Sequence, residues 1–241
     1  MDRELQERTA IVTGASRGIG RAIALALGGC GMRLGLLARS QERLEEVADE
    51  VEALGGRALV AECDLGDLSA LEVTARRLVE RLGSVDLLVN NAGVFHESAV
   101  VEQGLDDWEQ VLRINLTAPM LLCRLILPLM IAAGGGRIVN IASSSAVQGY
   151  AGQAAYSASK HGLLGLARCL ALEARPHNIH VHTLCPGGVD TDLIRGTEVG
   201  RRFEGQPLMV PQDIADLVLF CISQAGDVDM PEVVLRRFIP G

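Results

Sequence analysis

Thr13-Gly14-Ala15-Ser16-Arg17-Gly18-Ile19-Gly20 is the most informative segment of this chain for its architecture. It follows a β-rich run at residues 9–12 and leads into residues 18–29, whose spacing predicts a helix. Glycine here permits a tight turn and lets the backbone approach a diphosphate, while the helix N-terminus offers free N–H groups and a positive dipole end. A glycine-rich turn alone is a weak signal, because a purely structural turn has the same composition. Its position after the first strand of an alternating chain favours nucleotide binding.

Short apolar runs alternate with longer amphipathic ones along the rest of the chain. The second amphipathic run is representative, because Leu44, Val47 and Val51 recur at intervals of three to four residues among carboxylates. The predicted strands span residues 9–12, 33–37, 58–61, 86–90, 137–141, 179–184 and 232–236. The predicted helices span residues 18–29, 42–54, 68–82, 108–132, 154–174 and 212–223.

Strand–helix alternation of this kind predicts a parallel sheet that is covered on both faces. Right-handed crossovers then favour a doubly wound, Rossmann-like α/β sheet with its ligand at the carboxyl ends of the strands. No Pro- or Ser-rich linker and no repeat interrupts the pattern. The sequence therefore predicts a single dinucleotide-binding and catalytic domain over residues 1–241.

Composition argues against several other classes of protein. The 241 residues carry a net charge of −8, which disfavours nucleic acid or an anionic membrane as the main partner. The most apolar stretch, residues 116–133, contains Pro119, Arg124 and Pro128 and is a poor membrane span. The charged N-terminal residues do not fit a signal peptide, so we expect a cytoplasmic protein. The six cysteines and five histidines lack metal-ligand spacing, so we expect no metal site.

Tyr156 and Lys160 lie four residues apart on a predicted helix and therefore share a face. A free tyrosine has a pKa of about 10, and a nearby ammonium is expected to lower that pKa toward the neutral range. The phenol then donates a proton to a carbonyl oxygen or accepts one from an alcohol, and Ser143 is expected to hold the same oxygen. Lys160 is also the only lysine among 22 basic residues, which indicates a specific need for an ammonium.

Further short motifs follow in order: Cys63-Asp64-Leu65, Asn90-Asn91-Ala92-Gly93, Asn115, Ser143, Tyr156-Ser157-Ala158-Ser159-Lys160 and Pro186-Gly187. Together with the Gly-x-x-x-Gly-x-Gly turn, their order and separations resemble the short-chain dehydrogenase/reductase family over nearly the whole chain. The resemblance implies that Asp64 and Leu65 flank an adenine, that residues 91–93 brace the nucleotide pocket, and that Thr191 contacts a nicotinamide amide. It also implies that Lys160 binds the nicotinamide ribose and that Asn115 holds a water linking Lys160 to solvent.

The cofactor preference follows from the end of the second strand. NAD sites usually place an acid there, which binds the ribose 2′-hydroxyl and repels a 2′-phosphate. This chain reads Leu37-Ala38-Arg39-Ser40, without an acid, and Arg39 and Arg17 can each pair with a phosphate. The competing interpretation of either arginine is a solvated surface charge. We predict NADP(H) as the cofactor.

The sequence thus predicts two sets of site residues. The predicted catalytic residues are Asn115, Ser143, Tyr156 and Lys160. The predicted cofactor-binding residues are Gly14, Ser16, Arg17, Gly18, Ile19, Gly20, Arg39, Asp64, Leu65, Asn91, Ala92, Gly93, Tyr156, Lys160, Pro186, Gly187, Val189 and Thr191.

The predicted activity is NADP(H)-dependent hydride transfer between a small carbonyl compound and its secondary alcohol, with 3-oxoacyl and 3-hydroxy acid compounds among the candidate substrates. Two alternatives stay open: a protein that senses NADP(H) without turnover, and an epimerase or dehydratase that uses the cofactor transiently. The family resemblance also implies that residues 187–211, which contain Arg201 and Arg202, cover the substrate. We also expect a homodimer or homotetramer, paired through apolar helix faces around Leu121, Leu125, Leu163 and Leu166.

Overall fold

The computed structural model describes residues 5–224 and 228–237, so the remaining residues of the predicted domain lie outside the description. Its strands are β1 (Thr9–Thr13), β2 (Arg33–Ala38), β3 (Arg57–Glu62), β4 (Leu87–Asn90), β5 (Gly136–Ile141), β6 (Ile179–Pro186) and β7 (Glu232–Leu235). Its α-helices are α1 (Gly18–Gly29), α2 (Gln41–Ala53), α3 (Leu68–Leu82), α4 (Leu105–Leu112), α5 (Ala118–Ala133), α6 (Ala154–Ala174), α7 (Glu198–Arg202) and α8 (Pro211–Ile222).

The strands form one parallel sheet in the order β3-β2-β1-β4-β5-β6-β7. The chain winds outward from β1 to β3, returns to the centre at β4, and winds outward again to β7. The predicted doubly wound parallel sheet is therefore confirmed. Because the direction of winding reverses between β1 and β4, a crevice opens there at the carboxyl ends of the strands.

The core has two layers, one on each face of the sheet. Successive residues of β1 face opposite sides, as the pleat of a strand requires. Val12 packs in one layer with Ile23 of α1 and Val218 of α8, whereas Ile11 packs in the other layer with Leu122 of α5. These side chains are fully buried, and each such burial contributes about 1.5–3 kcal/mol to stability. Helices cover both faces, as predicted.

The helix predicted over residues 108–132 is instead three pieces. It consists of α4, a π-helical turn over Arg113–Thr117, and α5. Pro119 stands in the first turn of α5 and has no N–H to donate to the carbonyl of Asn115, four residues earlier. The helix widens at that point, and such π-helical turns are common at functional sites. The prediction of one regular helix was wrong because apolar periodicity does not register this change of pitch.

The helical run Leu105–Ala133 is long and apolar enough, by length and composition, to cross a membrane, and it is the one such run in residues 5–224 and 228–237. In the fold it contributes Leu122, Ile126 and Met130 to the core layer that also contains buried side chains of the sheet, α3 and α6. A core helix of this kind passes the same test of composition. The run therefore has a packing role that explains its apolar character.

Candidate active site

A cleft of about 780 Å³ opens where the strands end at the switch in winding direction. All the predicted site residues line this cleft except Gly20 and Asn115. The cleft is lined by seven basic residues and only two acids, Asp64 and Asp192, although the whole chain is acidic. Such a lining favours anionic ligands.

The glycine turn leaves a bare backbone wall because side chains do not fit there. Gly14 has a φ of +65°, and a Cβ atom on it would lie 2.9 Å from the Cα of Ala92. A Cβ atom on Gly20 would overlap the carbonyl oxygen of Gly14 and the side-chain amide of Asn91. Gly20 therefore supports the turn from behind instead of lining the cleft. This close approach of β1 to the loop after β4 fits a dinucleotide laid against the backbone.

Hydrogen bonds fix the turn to the loop after β4. Thr13 Oγ1 accepts from the backbone N–H groups of Asn91 and Ala92, each at 3.0 Å. The Asn91 amide donates to the carbonyl oxygen of Thr13 at 2.9 Å. Sequence reasoning missed Thr13. Its position directly before Gly14, at the end of a buried strand, was the available signal.

The end of β2 presents two arginines to the cleft. Arg39 and Arg43 are both exposed and both line it, and Ser40 caps α2 by accepting from Arg43 N at 3.4 Å. Arg43 was not predicted, although its spacing of four residues from Arg39 was visible in the sequence. Arg17, on the glycine turn, forms an ion pair with Asp192 at 3.4 Å. Arg17 therefore connects the turn to residues 187–211.

Tyr156, Lys160 and Ser143 converge on one end of the cleft. Tyr156 and Lys160 lie on α6 and are 8% and 3% exposed, respectively. The Lys160 ammonium donates to the carbonyl oxygen of Ile141 at 2.9 Å and lies 5.7 Å from the centroid of the Tyr156 ring. Phe95 packs edge-on against that ring, with centroids 5.1 Å apart. The phenol is thus held rigidly between an aromatic edge and a buried cation.

The electrostatics of the pair differ from the sequence prediction. Burial raises the pKa of Tyr156 to about 12, and a hydrogen bond with the Ser143 side chain opposes that rise only in part. Burial also lowers the pKa of Lys160 to about 8. The expectation that Lys160 brings the pKa of Tyr156 toward neutrality is wrong for this arrangement. Desolvation of the phenolate dominates, and the ammonium is directed to a backbone carbonyl.

The Asn115 side chain lies behind the catalytic group and is fully occupied by hydrogen bonds. Its Oδ1 accepts from Val94 N at 2.8 Å, and its Nδ2 donates to Val94 O at 2.9 Å and to Ser159 Oγ at 3.1 Å. Ser159 in turn donates to the carbonyl oxygen of Tyr156 at 2.7 Å. The amide of Asn115 therefore braces the loop after β4 against α6.

The geometry agrees with what is known of related proteins. A sequence model described as short chain dehydrogenase matches residues 8–200, which include the four predicted catalytic residues. The chain belongs to the short-chain dehydrogenase/reductase family.

Relatives that match this short-chain dehydrogenase/reductase over nearly their whole length are named as reductases or dehydrogenases. The 3-oxoacyl-[acyl-carrier-protein] reductase FabG of Aquifex aeolicus is 35% identical over 241 residues, covering 97% of each chain. A metagenomic short-chain oxidoreductase in complex with NADP has a TM-score of 0.85 at 38% identity, covering 98% of this chain and 100% of that one. An alcohol dehydrogenase from the archaeon Thermococcus sibiricus, complexed with 5-hydroxy-NADP, has a TM-score of 0.87 at 28% identity, covering 96% and 97%. The chain is an oxidoreductase.

One wall of the cleft in this family member is polar and uncharged. It is formed by the short loop and turn between β5 and α6. Tyr150 Oη donates to Ser144 Oγ at 3.2 Å, and Ser145 Oγ donates to Gln153 Oε1 at 3.1 Å. Gln153 is buried and was not predicted as a site residue. This wall can bind a substrate by hydrogen bonds but not by charge.

The opposite wall comes from residues 187–211, which contain the short helix α7. Sequence reasoning did not predict α7, because five residues are too few for a periodic pattern. Its start is fixed by Glu97, whose Oε2 accepts from Glu198 N at 3.0 Å and from Val199 N at 3.3 Å. Arg202 and Phe203 line the cleft, whereas Arg201 is exposed and does not.

The histidines and cysteines of this enzyme do not assemble a metal site in the part of the chain that the structure describes, where no group of three or more His, Cys, Asp or Glu side chains could hold an ion. His182 is buried in β6 with its Nδ1 atom 3.0 Å from the carbonyl oxygen of Met230. Asp190 and Asp192 both pair with Arg195, at 3.0 and 2.9 Å. These groups have structural partners outside the catalytic group.

Proposed function

We propose that this protein is an NADP(H)-dependent oxidoreductase that interconverts a carbonyl compound and its secondary alcohol. The observation that carries the proposal is the convergence of Tyr156, Ser143 and Lys160 in a cleft that also contains the bare glycine turn. A relative that is named a 3-oxoacyl reductase and a similar structure that contains NADP support the same activity. NADP(H) bound in the cleft supplies or accepts the hydride.

The chain's own residues handle the proton. Tyr156 Oη donates a proton to the carbonyl oxygen during reduction and accepts one from the alcohol during oxidation. Ser143 donates a hydrogen bond that holds the reacting oxygen beside the phenol. In this proposal Lys160 binds cofactor hydroxyls with the N–H groups that it does not donate to Ile141, and the side chain of Asn115 keeps the surrounding loop in position.

The protonation state of Tyr156 suits the reductive direction. With a pKa of about 12 the side chain is a phenol at neutral pH, which is the proton donor that carbonyl reduction needs. Alcohol oxidation needs the phenolate, which becomes more abundant as the pH rises toward that pKa. The two directions should therefore respond differently to pH.

We expect kcat/KM for alcohol oxidation to increase between pH 6 and pH 7.5, by up to about tenfold per pH unit, because deprotonation of Tyr156 becomes easier while Lys160, with a pKa of about 8, is still charged. Over the same range kcat/KM for carbonyl reduction should not increase, because the phenol is already protonated. Initial rates in both directions, in buffers of constant ionic strength, measure this. An oxidation rate that falls as the pH rises would contradict the assignment of Tyr156.

The preference for NADP(H) is supported by the charges at the end of β2. Arg39 and Arg43 line the cleft there, and the strand ends without an acid. A 2′-phosphate at this place gains charge-assisted hydrogen bonds from guanidinium groups.

We therefore expect Arg39→Asp to lower the ratio of kcat/KM for NADPH to kcat/KM for NADH by about 10- to 100-fold, because it replaces an attraction for the 2′-phosphate with a repulsion. Arg77→Asp is the matched control, since Arg77 is exposed on α3 and does not line the cleft. Steady-state kinetics with both cofactors measure the ratio. A wild-type preference for NADH, or an unchanged ratio in Arg39→Asp, argues against this pocket.

We further propose that residues 1–241 act as one domain and that residues 187–211 cover the substrate. The ion pair between Arg17 and Asp192 and the contact of Glu97 with the start of α7 support the covering role, because both attach this segment to the rim of the cleft.

The oligomer interface is proposed on the exposed apolar side chains of α5 and α6. Leu121 and Leu163, which the sequence suggested for this role, are 6% and 1% exposed and pack within the monomer. Leu125 and Leu166, also suggested by the sequence, are partly exposed. The large apolar side chains that are exposed on these helices are Met120, Leu129, Ile131 and Leu172. Burying such side chains against a second copy is favourable, so we propose a soluble cytoplasmic homodimer or homotetramer.

The experiment that tests the proposed function is NADPH oxidation with a panel of ketones, 3-oxo acids and 3-oxoacyl thioesters. Consumption of NADPH with at least one of these classes is expected. The alternative of a sensor predicts NADPH binding without turnover, and it is disfavoured because a sensor needs none of Ser143, Tyr156 and Lys160. A transient-cofactor epimerase predicts conversion of substrate with no net consumption.

A further inference from the structure

Three arginines line the cleft on the side of β7 and residues 187–211, away from the end of β2. Arg202, Arg236 and Arg237 line the cleft together with α7 and the polar wall between β5 and α6. The register of β7 explains their position, because Leu235 pairs with Pro186 and accepts from Gly187 N at 3.0 Å. The two residues that follow Leu235 therefore stand beside the end of β6, where residues 187–211 begin.

Arg237 differs from the arginines of residues 187–211 in the groups that its guanidinium contacts. Arg202 pairs with Glu198 at 3.0 Å, and Arg195 pairs with Asp190 at 3.0 Å. The Arg237 guanidinium instead donates to two neutral oxygens, Pro207 O at 2.6 Å and Gln206 Oε1 at 3.1 Å.

The guanidinium of Arg237 also lies over the ring of Phe203, 4.7 Å from its centroid. Stacking on an aromatic ring and two fixed acceptors hold its plane in one orientation, which reduces the entropy lost when it binds a ligand. Within residues 5–224 and 228–237, none of its hydrogen bonds goes to a carboxylate. A rigid guanidinium with these partners retains its full charge for a ligand in the cleft.

We propose that Arg237 is a specificity-determining residue that binds an anionic group of the substrate, either a carboxylate or a phosphate. The proposal rests on the proposed carbonyl reduction. It predicts that the substrates are carbonyl compounds that carry such an anion, namely oxo acids or phosphate-bearing ketones and acyl compounds. Guanidinium groups bind both anions through paired hydrogen bonds. Arg202 is paired with Glu198 and Arg236 is exposed, so within the described part of the chain Arg237 is the one of these three arginines that is held in a fixed orientation without a carboxylate partner. The polar wall between β5 and α6 contains no charged side chain that lines the cleft.

Two matched pairs of substrates test the proposal and separate the two anions. One pair is 3-oxobutanoate and its methyl ester, and the other is dihydroxyacetone phosphate and dihydroxyacetone. The wild-type enzyme should prefer the anionic member of at least one pair. Arg237→Gln should lower kcat/KM for that member by about 10- to 100-fold, mainly through KM, and change the neutral member by no more than about twofold. Arg237→Lys should retain part of the preference for the anionic member, since it keeps the positive charge but not the paired N–H donors of a guanidinium.

Arg201→Gln is the matched control, because Arg201 lies on α7 but is exposed and outside the cleft. It should leave both members of each pair unchanged. The dissociation constant of NADPH, measured by fluorescence, should be the same in wild type and Arg237→Gln. Calorimetric titration of the NADP⁺-loaded protein with 3-oxobutanoate and with dihydroxyacetone phosphate should show, for at least one of them, binding about tenfold weaker or more in Arg237→Gln.

Three results would overturn this assignment. An equal loss of kcat/KM for the charged and neutral members would show that Arg237 only stabilises the conformation of residues 203–207. Weaker NADPH binding in Arg237→Gln would place Arg237 on the cofactor. A wild-type enzyme that reduces the neutral members as well as the anionic ones would remove the anion subsite while leaving carbonyl reduction intact. Failure to consume NADPH with any carbonyl compound would instead refute the proposed function, and in that case equal calorimetric affinities would overturn the subsite as well.

Discussion

Replacement of Tyr156 by phenylalanine is expected to lower kcat for carbonyl reduction by about 10²- to 10⁴-fold. The substitution removes only the hydroxyl group, and the phenyl ring keeps its edge-on contact with Phe95, whose ring centroid lies 5.1 Å away. Ser143 and Lys160 remain, but Lys160 points to the carbonyl oxygen of Ile141 and does not substitute for the missing acid. Single-turnover oxidation of NADPH measures the loss directly.

The dissociation constant of NADPH and the thermal unfolding temperature provide the controls for this variant. Both should stay close to the wild-type values, because the phenol is a small part of the cofactor-binding surface. Tyr150→Phe is a matched substitution at the other tyrosine, which is exposed and bonded to Ser144. It should retain most of the wild-type kcat, with any loss appearing in KM, because Tyr150 belongs to the polar wall of the cleft. Retention of more than a tenth of wild-type kcat in Tyr156→Phe is incompatible with its role as the acid.

The second large effect is expected for Lys160→Arg, although it preserves the charge. We expect kcat/KM to fall by about 100-fold or more, because a small displacement of a positioning group is sufficient for a loss of that size. Lys160 is 3% exposed, and its ammonium donates to the carbonyl oxygen of Ile141 at 2.9 Å, so it fills a buried space beside the loop after β4. A planar guanidinium does not fit that space without moving the loop after β4, and overpacking of this kind costs about 1–3 kcal/mol of stability.

Steady-state kinetics and chemical denaturation together distinguish a loss of activity from a loss of stability in Lys160→Arg. Lys160→Met removes the charge while it keeps a slender side chain, and it should lose activity with a smaller change in stability. Arg168→Lys, an exposed exchange on the same helix, controls for exchanging the two cations and should be active. If Lys160→Arg is as active as the wild type, the chain does not need an ammonium at this position.

Much of the fold was predictable because the sequence patterns that determine helices and strands involve residues close to each other along the chain. The bounds of α1, α3 and α6 match the predicted helices residue for residue. α1 ends at Gly29, and α3 lies between the Asp67 cap and Gly83, so local signals mark those ends. α6 ends where Pro176 stands in a 3₁₀ turn. The bounds of α4 and α5 were not predictable. They depend on the π-helical turn, in which Asn115 turns into the core to hold Val94. Such a contact between distant parts of the chain has no periodic signature.

The sequence was sufficient to predict most of the residues that line the site, but not the pKa shifts of its titratable groups. The spacing of Tyr156 and Lys160 predicts a shared helix face, and both side chains do line the cleft. The direction of the pKa shift of Tyr156 depends on the depth of burial, which spacing does not contain. Arg237 and Glu97 were missed for a related reason, because their partners lie about 30 and 100 residues away in the sequence.

The most direct test is a crystal structure of the protein with NADP⁺ and an alcohol or unreactive ketone bound. We predict a dinucleotide along the glycine turn, with the substrate oxygen within about 2.6–3.2 Å of both Tyr156 Oη and Ser143 Oγ. A dinucleotide bound elsewhere, or a substrate oxygen out of hydrogen-bonding reach of the phenol, would contradict the assignment of Tyr156 as the proton donor.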